Sequence, residues 1–167
     1  MPHAPARAAA LRIRRLTAAG CGALLLMLLA CAPQAGAQTP SAPPDEPVLS
    51  RLVWQTLITL DNANRVNDYA MLHALGGEAF QARNSPASLA ETFAPLRAAR
   101  LDVGRAVLAA PNWYEPPAML DASTLRLRGG FEFRPRSLRF DMVFVQEAGA
   151  WRLHGLSVAD LPMDAPR

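Results

Sequence analysis

Leu125-Arg126-Leu127-Arg128-Gly129-Gly130-Phe131-Glu132-Phe133 alternates apolar and charged residues. Successive side chains of a strand point to opposite faces, so Leu125, Leu127, Phe131 and Phe133 share one face and Arg126, Arg128 and Glu132 the other. The Gly129-Gly130 pair predicts a bulge or bend of the kind a strongly curved sheet needs. Arg134-Pro135-Arg136-Ser137 then reads as a turn, Leu138 to Gln146 as a strand, Glu147-Ala148-Gly149-Ala150 as a second turn, and Trp151 to Val158 as the last strand. The second turn sets Gln146 opposite Trp151, Phe144 opposite Leu153 and Met142 opposite Gly155. One face of this sheet is apolar. The other collects Arg139, Asp141, Arg152 and His154 beside Arg126, Arg128 and Glu132, with Glu132 expected as the cross-strand partner of Arg139. Such a sheet has helices on one side. Upstream, Val103 to Ala109 is expected to be a strand, Pro111 to Pro117 a loop, and Met119 to Ala122 a short strand.

The segment before residue 101 has helical spacing instead. Leu49, Leu52, Val53, Leu57 and Leu60 form one stripe over Val48 to Ala63. Asn67 or Asp68 is an N-cap for a short helix through Leu75, stopped by Gly76-Gly77. Ser85-Pro86 is a cap followed by Pro at the first helical position, and the third helix runs to about Ala99 with Leu89, Phe93 and Leu96 on one face. Helices followed by an antiparallel meander define an α+β domain: three N-terminal helices packed on a strongly curved antiparallel sheet.

Residues 1–37 read as an export signal. Arg7, Arg12, Arg14 and Arg15 form a positive start, and the apolar run from Ala18 to Ala30 is shorter than the roughly 20 residues of a spanning helix. Ala35-Gly36-Ala37 fits ordinary signal peptidase. Leu28-Leu29-Ala30-Cys31 resembles a lipobox, which would end the signal at residue 30 and make Cys31 the lipidated first residue. Both sites stay open. Residues 38–47 continue a Pro- and Ala-rich stretch suited to a tether, residues 48–160 hold the domain, and 161–167 form a tail.

Removing the signal changes the charge argument. All 17 basic residues are Arg, and four of them lie in the signal, so 13 remain against 14 acids, a net charge of −1. The pI of 9.5 belongs to the whole chain and gives no support for a nucleic-acid partner. The two cysteines, Cys21 and Cys31, both fall at the N-terminus, leaving the domain without a thiol for disulfide, nucleophile or metal.

Asn67-Asp68-Tyr69, Phe93-Ala94-Pro95-Leu96, the Leu-Arg-Leu-Arg-Gly-Gly-Phe strand, Phe140-Asp141-Met142-Val143-Phe144 and Gly149-Ala150-Trp151-Arg152-Leu153-His154-Gly155-Leu156 together resemble the nuclear transport factor 2-like (cystatin-like) superfamily, and most of all its small exported bacterial members. The resemblance covers roughly residues 48–160. It implies a cone-shaped, cystatin-like roll whose sheet wraps around helices, with a pocket inside and a tendency to dimerise. It hosts isomerases, dehydratases and binding modules, so fold does not settle function.

Candidate pocket residues are Trp54, Tyr69, His73, Phe93, Phe131 and Phe144. Catalytic residues are harder to find. His73 and His154 form no metal-binding pair, there is no HExxH or GxSxG, and neither Gly-Gly pair sits in a phosphate loop. No metal or cofactor is implied. Asp141 is expected on the charged face among Arg126, Arg128, Arg139 and Arg152, ionised and structural; a bulge at Gly129-Gly130 or Gly155 would turn it inward. The reading that follows is a non-catalytic envelope module holding a small apolar ligand or a protein partner, reaching the membrane only through a lipid anchor. The alternatives are a cone-pocket isomerase or dehydratase and a structural subunit of an envelope complex. An inward-facing acid or His in a closed pocket would favour the enzyme; a pocket filled by Trp54, Phe93, Phe131 and Phe144 would favour a scaffold. Val143, Val145, Leu156 and Val158 are expected on one sheet face, covered by a second copy in a homodimer.

Overall fold

Asp45, Glu46 and Pro47 are a helix start in three consecutive residues. The Asp45 side chain accepts a hydrogen bond from the Val48 amide at 3.3 Å, and Pro47 sits in the first turn, where no N–H is required. The helix they open, α1, spans Glu46–Val66, and the computed structural model describes residues 42–134 and 136–162. Leu49, Leu52, Val53, Leu57 and Leu60 are all buried, as the stripe requires. Asn67 ends α1 in the left-handed region at φ 55°, a conformation that Asn tolerates better than most residues. The export signal, Cys31, the first part of the tether and residues 163–167 lie outside the described residues.

Five α-helices, rather than three, precede the sheet among the described residues: α1, α2 (Ala70–Leu75), α3 (Glu78–Arg83), α4 (Pro86–Thr92) and α5 (Ala94–Ala98). The N-cap of α2 is Tyr69 rather than Asn67 or Asp68, and Asp68 just before it accepts from the Ala70 amide at 2.9 Å. Gly76-Gly77 ends α2 but leads straight into α3. The expected long third helix breaks at Phe93, because Pro95 has no N–H for the Glu91 carbonyl and its ring crowds that turn. Ser85 and Ser88 form a reciprocal capping box at the start of α4.

Val103–Leu108 is a 3₁₀ helix, not a strand. Val103 and Ala106, three residues apart, are the buried positions, whereas Val107 is exposed. The apparent alternation of Val103, Arg105 and Val107 is therefore accidental. β1 (Asn112–Met119) occupies the expected loop. It is an edge strand, and its pairing skips between Glu115 and Ala118, where Pro116 and Pro117 have no amide to donate. β2 (Thr124–Phe131), β3 (Arg136–Glu147) and β4 (Ala150–Pro162) complete an antiparallel meander in the order β1-β2-β3-β4.

The domain is thus α+β, N-terminal helices followed by a four-stranded antiparallel sheet. The sheet is not strongly curled or closed, which corrects both the strong curvature expected from the glycines and the cone implied by the resemblance. Gly129 and Gly130 do not form a bulge with β3, where they pair in unbroken register with Phe140 and Arg139. They serve close approach instead. A Cβ on Gly129 would lie 2.5 Å from the Asn112 carbonyl oxygen, and one on Gly130 2.5 Å from that of Leu138. The irregularity sits across from them in β1, at Tyr114, between the pairs Trp113–Gly129 and Glu115–Arg128.

The inner sheet face, with Leu125, Leu127, Phe131, Leu138, Phe140, Met142, Phe144 and Leu153, packs with the α1 stripe into one core. Phe131 lies 5.9 Å from Phe140 and 5.8 Å from Phe133.

Candidate functional site

The expected pairing of β3 and β4 holds for Gln146–Trp151 and Phe144–Leu153, then fails. Val143 faces Gly155 and Met142 faces Leu156, so His154 is an extra residue, a bulge in β4. Neighbouring groups hold it in place. Arg83 Nη2 donates to the His154 carbonyl oxygen at 3.1 Å, and the Gly77 amide donates to that of Leu153 at 2.8 Å. One extra residue exchanges the faces of everything beyond it. Leu156, Val158 and Asp160 therefore join Met142, Phe140 and Leu138 on the inner side. Val143 and Val145 stay outside, so the four aliphatics expected to form one dimerising patch are split between two faces.

The exchange builds a groove. Leu156, Val158 and Asp160 of β4 oppose Phe93 and Leu96 of the α4–α5 region, with Arg136 at one end, around a space of about 420 Å³. A second depression of about 290 Å³ adjoins it, sharing Thr92, Phe93 and Leu156 and reaching Arg83 and His154. Apolar side chains line most of the groove, with one charged pair at its end. The Asp160 side chain is 6% exposed and forms an ion pair with Arg136. Neither carboxylate oxygen has a well-aligned hydrogen bond among the described residues, so charge attraction is its main compensation. Pairing with Asp160 raises the pKa of the Arg136 guanidinium above its usual value. Sequence reasoning missed this acid because strict alternation places residue 160 outside. Gly155 within the strand was the available signal.

The expected pocket residues do not converge. Phe93 lines the groove. Tyr69 is buried with its ring parallel to Phe93 at 6.1 Å, and its hydroxyl bonds to Asn64 and Arg97. Phe131 and Phe144 are core side chains. Trp54 is half-buried and donates through Nε1 to the Ala109 carbonyl oxygen at 3.2 Å. His73 is half-buried on α2, with Nε2 3.3 Å from the Gln81 carbonyl oxygen. Phe93 lines the groove beside β4, whereas Phe144 lines a separate depression of about 260 Å³ with Leu52, Thr56, Leu75 and Trp151.

On the outer face Asp141 stands where expected. The β4 bulge reorients β4 and leaves β3 unchanged. Arg126 donates to it twice, Nε to Oδ1 at 3.0 Å and Nη2 to Oδ2 at 2.6 Å, and Arg128 Nε lies 3.3 Å from Oδ2. The Arg126 hydrogen bonds hold the Asp141 carboxyl below its ordinary pKa, against an opposing effect of burial. Arg139 stacks over Tyr114 with its guanidinium 5.0 Å from the ring centre, opposite Gly130. Glu132 is not its cross-strand partner; the β1 acid in this network is Glu115, paired with Arg128.

Among the described residues no three His, Cys, Asp or Glu side chains are grouped to hold a metal ion, and no helix is long and apolar enough to cross a membrane. Comparison with family models, curated proteins and solved structures finds no match.

Proposed function

We propose that this chain is an exported, non-catalytic module of nuclear transport factor 2-like type, with an open sheet in place of the cone, that binds a small apolar ligand between α4–α5 and β4. The groove lined by Phe93, Leu96, Leu156 and Val158 carries this reading. Ligand sites are concave, mostly apolar and furnished with few polar groups, and this groove has that composition, with Arg136 and Asp160 as the orienting pair. The envelope compartment rests on the export signal in residues 1–37, and tethering on Cys31.

The test uses N-phenyl-1-naphthylamine, an uncharged apolar fluorophore. Val158→Arg, which puts a charge into the groove, is expected to abolish its binding. Val143→Arg, on the outer face, is expected to leave it intact. Equal affinity in both variants contradicts the reading.

Asp160 supports a second reading, because an inward acid beside an apolar groove is what a proton-transferring enzyme would need. Its ion pair with Arg136 weighs against this. The Arg136 guanidinium already occupies the carboxylate that a proton transfer would need.

A further inference from the structure

We propose that a separate cleft, between the C-terminal half of α1 and the end of α5, binds a compact oxyanion group, phosphate or carboxylate. The cleft encloses about 220 Å³ and is lined by Asp61, Asn64, Arg65, Arg97, Arg100 and Leu101. Its polarity follows from a chain of hydrogen bonds. Arg97 Nη1 donates to the Tyr69 hydroxyl oxygen at 2.6 Å and to the Ala90 carbonyl oxygen at 2.6 Å. An arginine only donates, so the Tyr69 hydroxyl accepts there and gives its own proton to Asn64 Oδ1, 2.6 Å away. This fixes the orientation of the Asn64 amide. Its Nδ2 is left as a buried donor with no partner. Such a group costs free energy unless an acceptor meets it.

The charges agree with that polarity. Arg65 is shared between Asp61, at 2.6 Å, and Asp102, at 3.3 Å, so those two acids are already engaged. Arg97 has neutral partners, and Arg100 has no side-chain partner among the described residues. Two guanidinium groups and one amide therefore remain without an acceptor of negative charge, and a two- or three-oxygen anion matches this set of donors. Arg100 also holds a left-handed backbone at φ 49° just past α5, a position that ordinarily favours Gly. An arginine here carries its guanidinium to the cleft in spite of that cost.

The experiment is isothermal titration calorimetry of the purified protein with inorganic phosphate, and separately with acetate, at constant ionic strength. Saturable one-site binding of either probe is expected. Arg100→Gln should weaken it about tenfold, the loss of one charge-assisted contact. Asn64→Asp keeps an acceptor for Tyr69 but replaces the free donor with a carboxylate oxygen, and should abolish binding. Arg51→Gln, an exposed arginine outside the cleft, should change nothing. Absence of saturable binding by both probes overturns the proposal. So does binding that survives both cleft substitutions, or that falls equally in Arg51→Gln.

Discussion

Asp141 and Asp160 occupy adjacent strands of one sheet and show what a residue's surroundings make of the same carboxyl. Asp141 was legible in sequence, because Arg126 and Arg128 share its face under simple alternation. Asp160 was not, because its side depends on one inserted residue six positions earlier. The pH behaviour of Asp141 follows from its pairing. Its folded pKa lies below the ordinary value of 3.8, so its contribution is fully present above that value and is lost as pH falls through the lower folded value. Asp141→Asn removes this contribution. The variant is expected to be less stable than the parent by about 1 kcal/mol at neutral pH, since the site is part-exposed and partly screened. The difference should shrink as pH falls below the ordinary carboxylate range and through the lower folded value. Urea denaturation of both proteins at several pH values measures it. A difference that grows on acidification contradicts the assignment.

Elements with strong periodicity were legible, and those shaped by single residues were not. The α1 stripe and the alternation in β2 and β3 rest on many residues each, so neighbouring irregularities cannot hide them. The break at Phe93 depends on Pro95, the 3₁₀ helix on the spacing of Val103 and Ala106, and the β4 bulge on contacts from Arg83 and Gly77. The two contacts at the β4 bulge are long-range, which local spacing cannot register. The β3–β4 turn was legible and is strained at one point: Ala148 has φ 49° and Gly149 φ 77°, so both central residues are left-handed. Two-residue hairpin turns of this type favour Asn or Gly at both positions. Ala148→Gly relieves the side-chain penalty and should stabilise the domain by about 0.5 kcal/mol or more, the left-handed cost less the added chain entropy. Thermal unfolding reads this as a higher Tm; a lower Tm would mean that the turn is not strained at Ala148.

For the whole molecule, the α+β order of elements was legible, and the openness of the sheet was not. Gly129-Gly130 suggests curvature by its sequence alone, but the pair admits the β1 backbone and Tyr114 at close range. Phe131, Phe140 and Phe144 pack in the core, and an apolar groove lies at the margin between α4–α5 and β4. This margin, created by the His154 bulge, is the proposed ligand site. Chemical-shift mapping by nuclear magnetic resonance tests it most directly, with N-phenyl-1-naphthylamine titrated into the isotopically labelled protein. The methyl signals of Leu96, Leu156 and Val158 should shift together and saturate, while those of Val143 and Val145 stay in place. Shifts confined to Val143 and Val145, or scattered over both faces without saturation, would contradict the account.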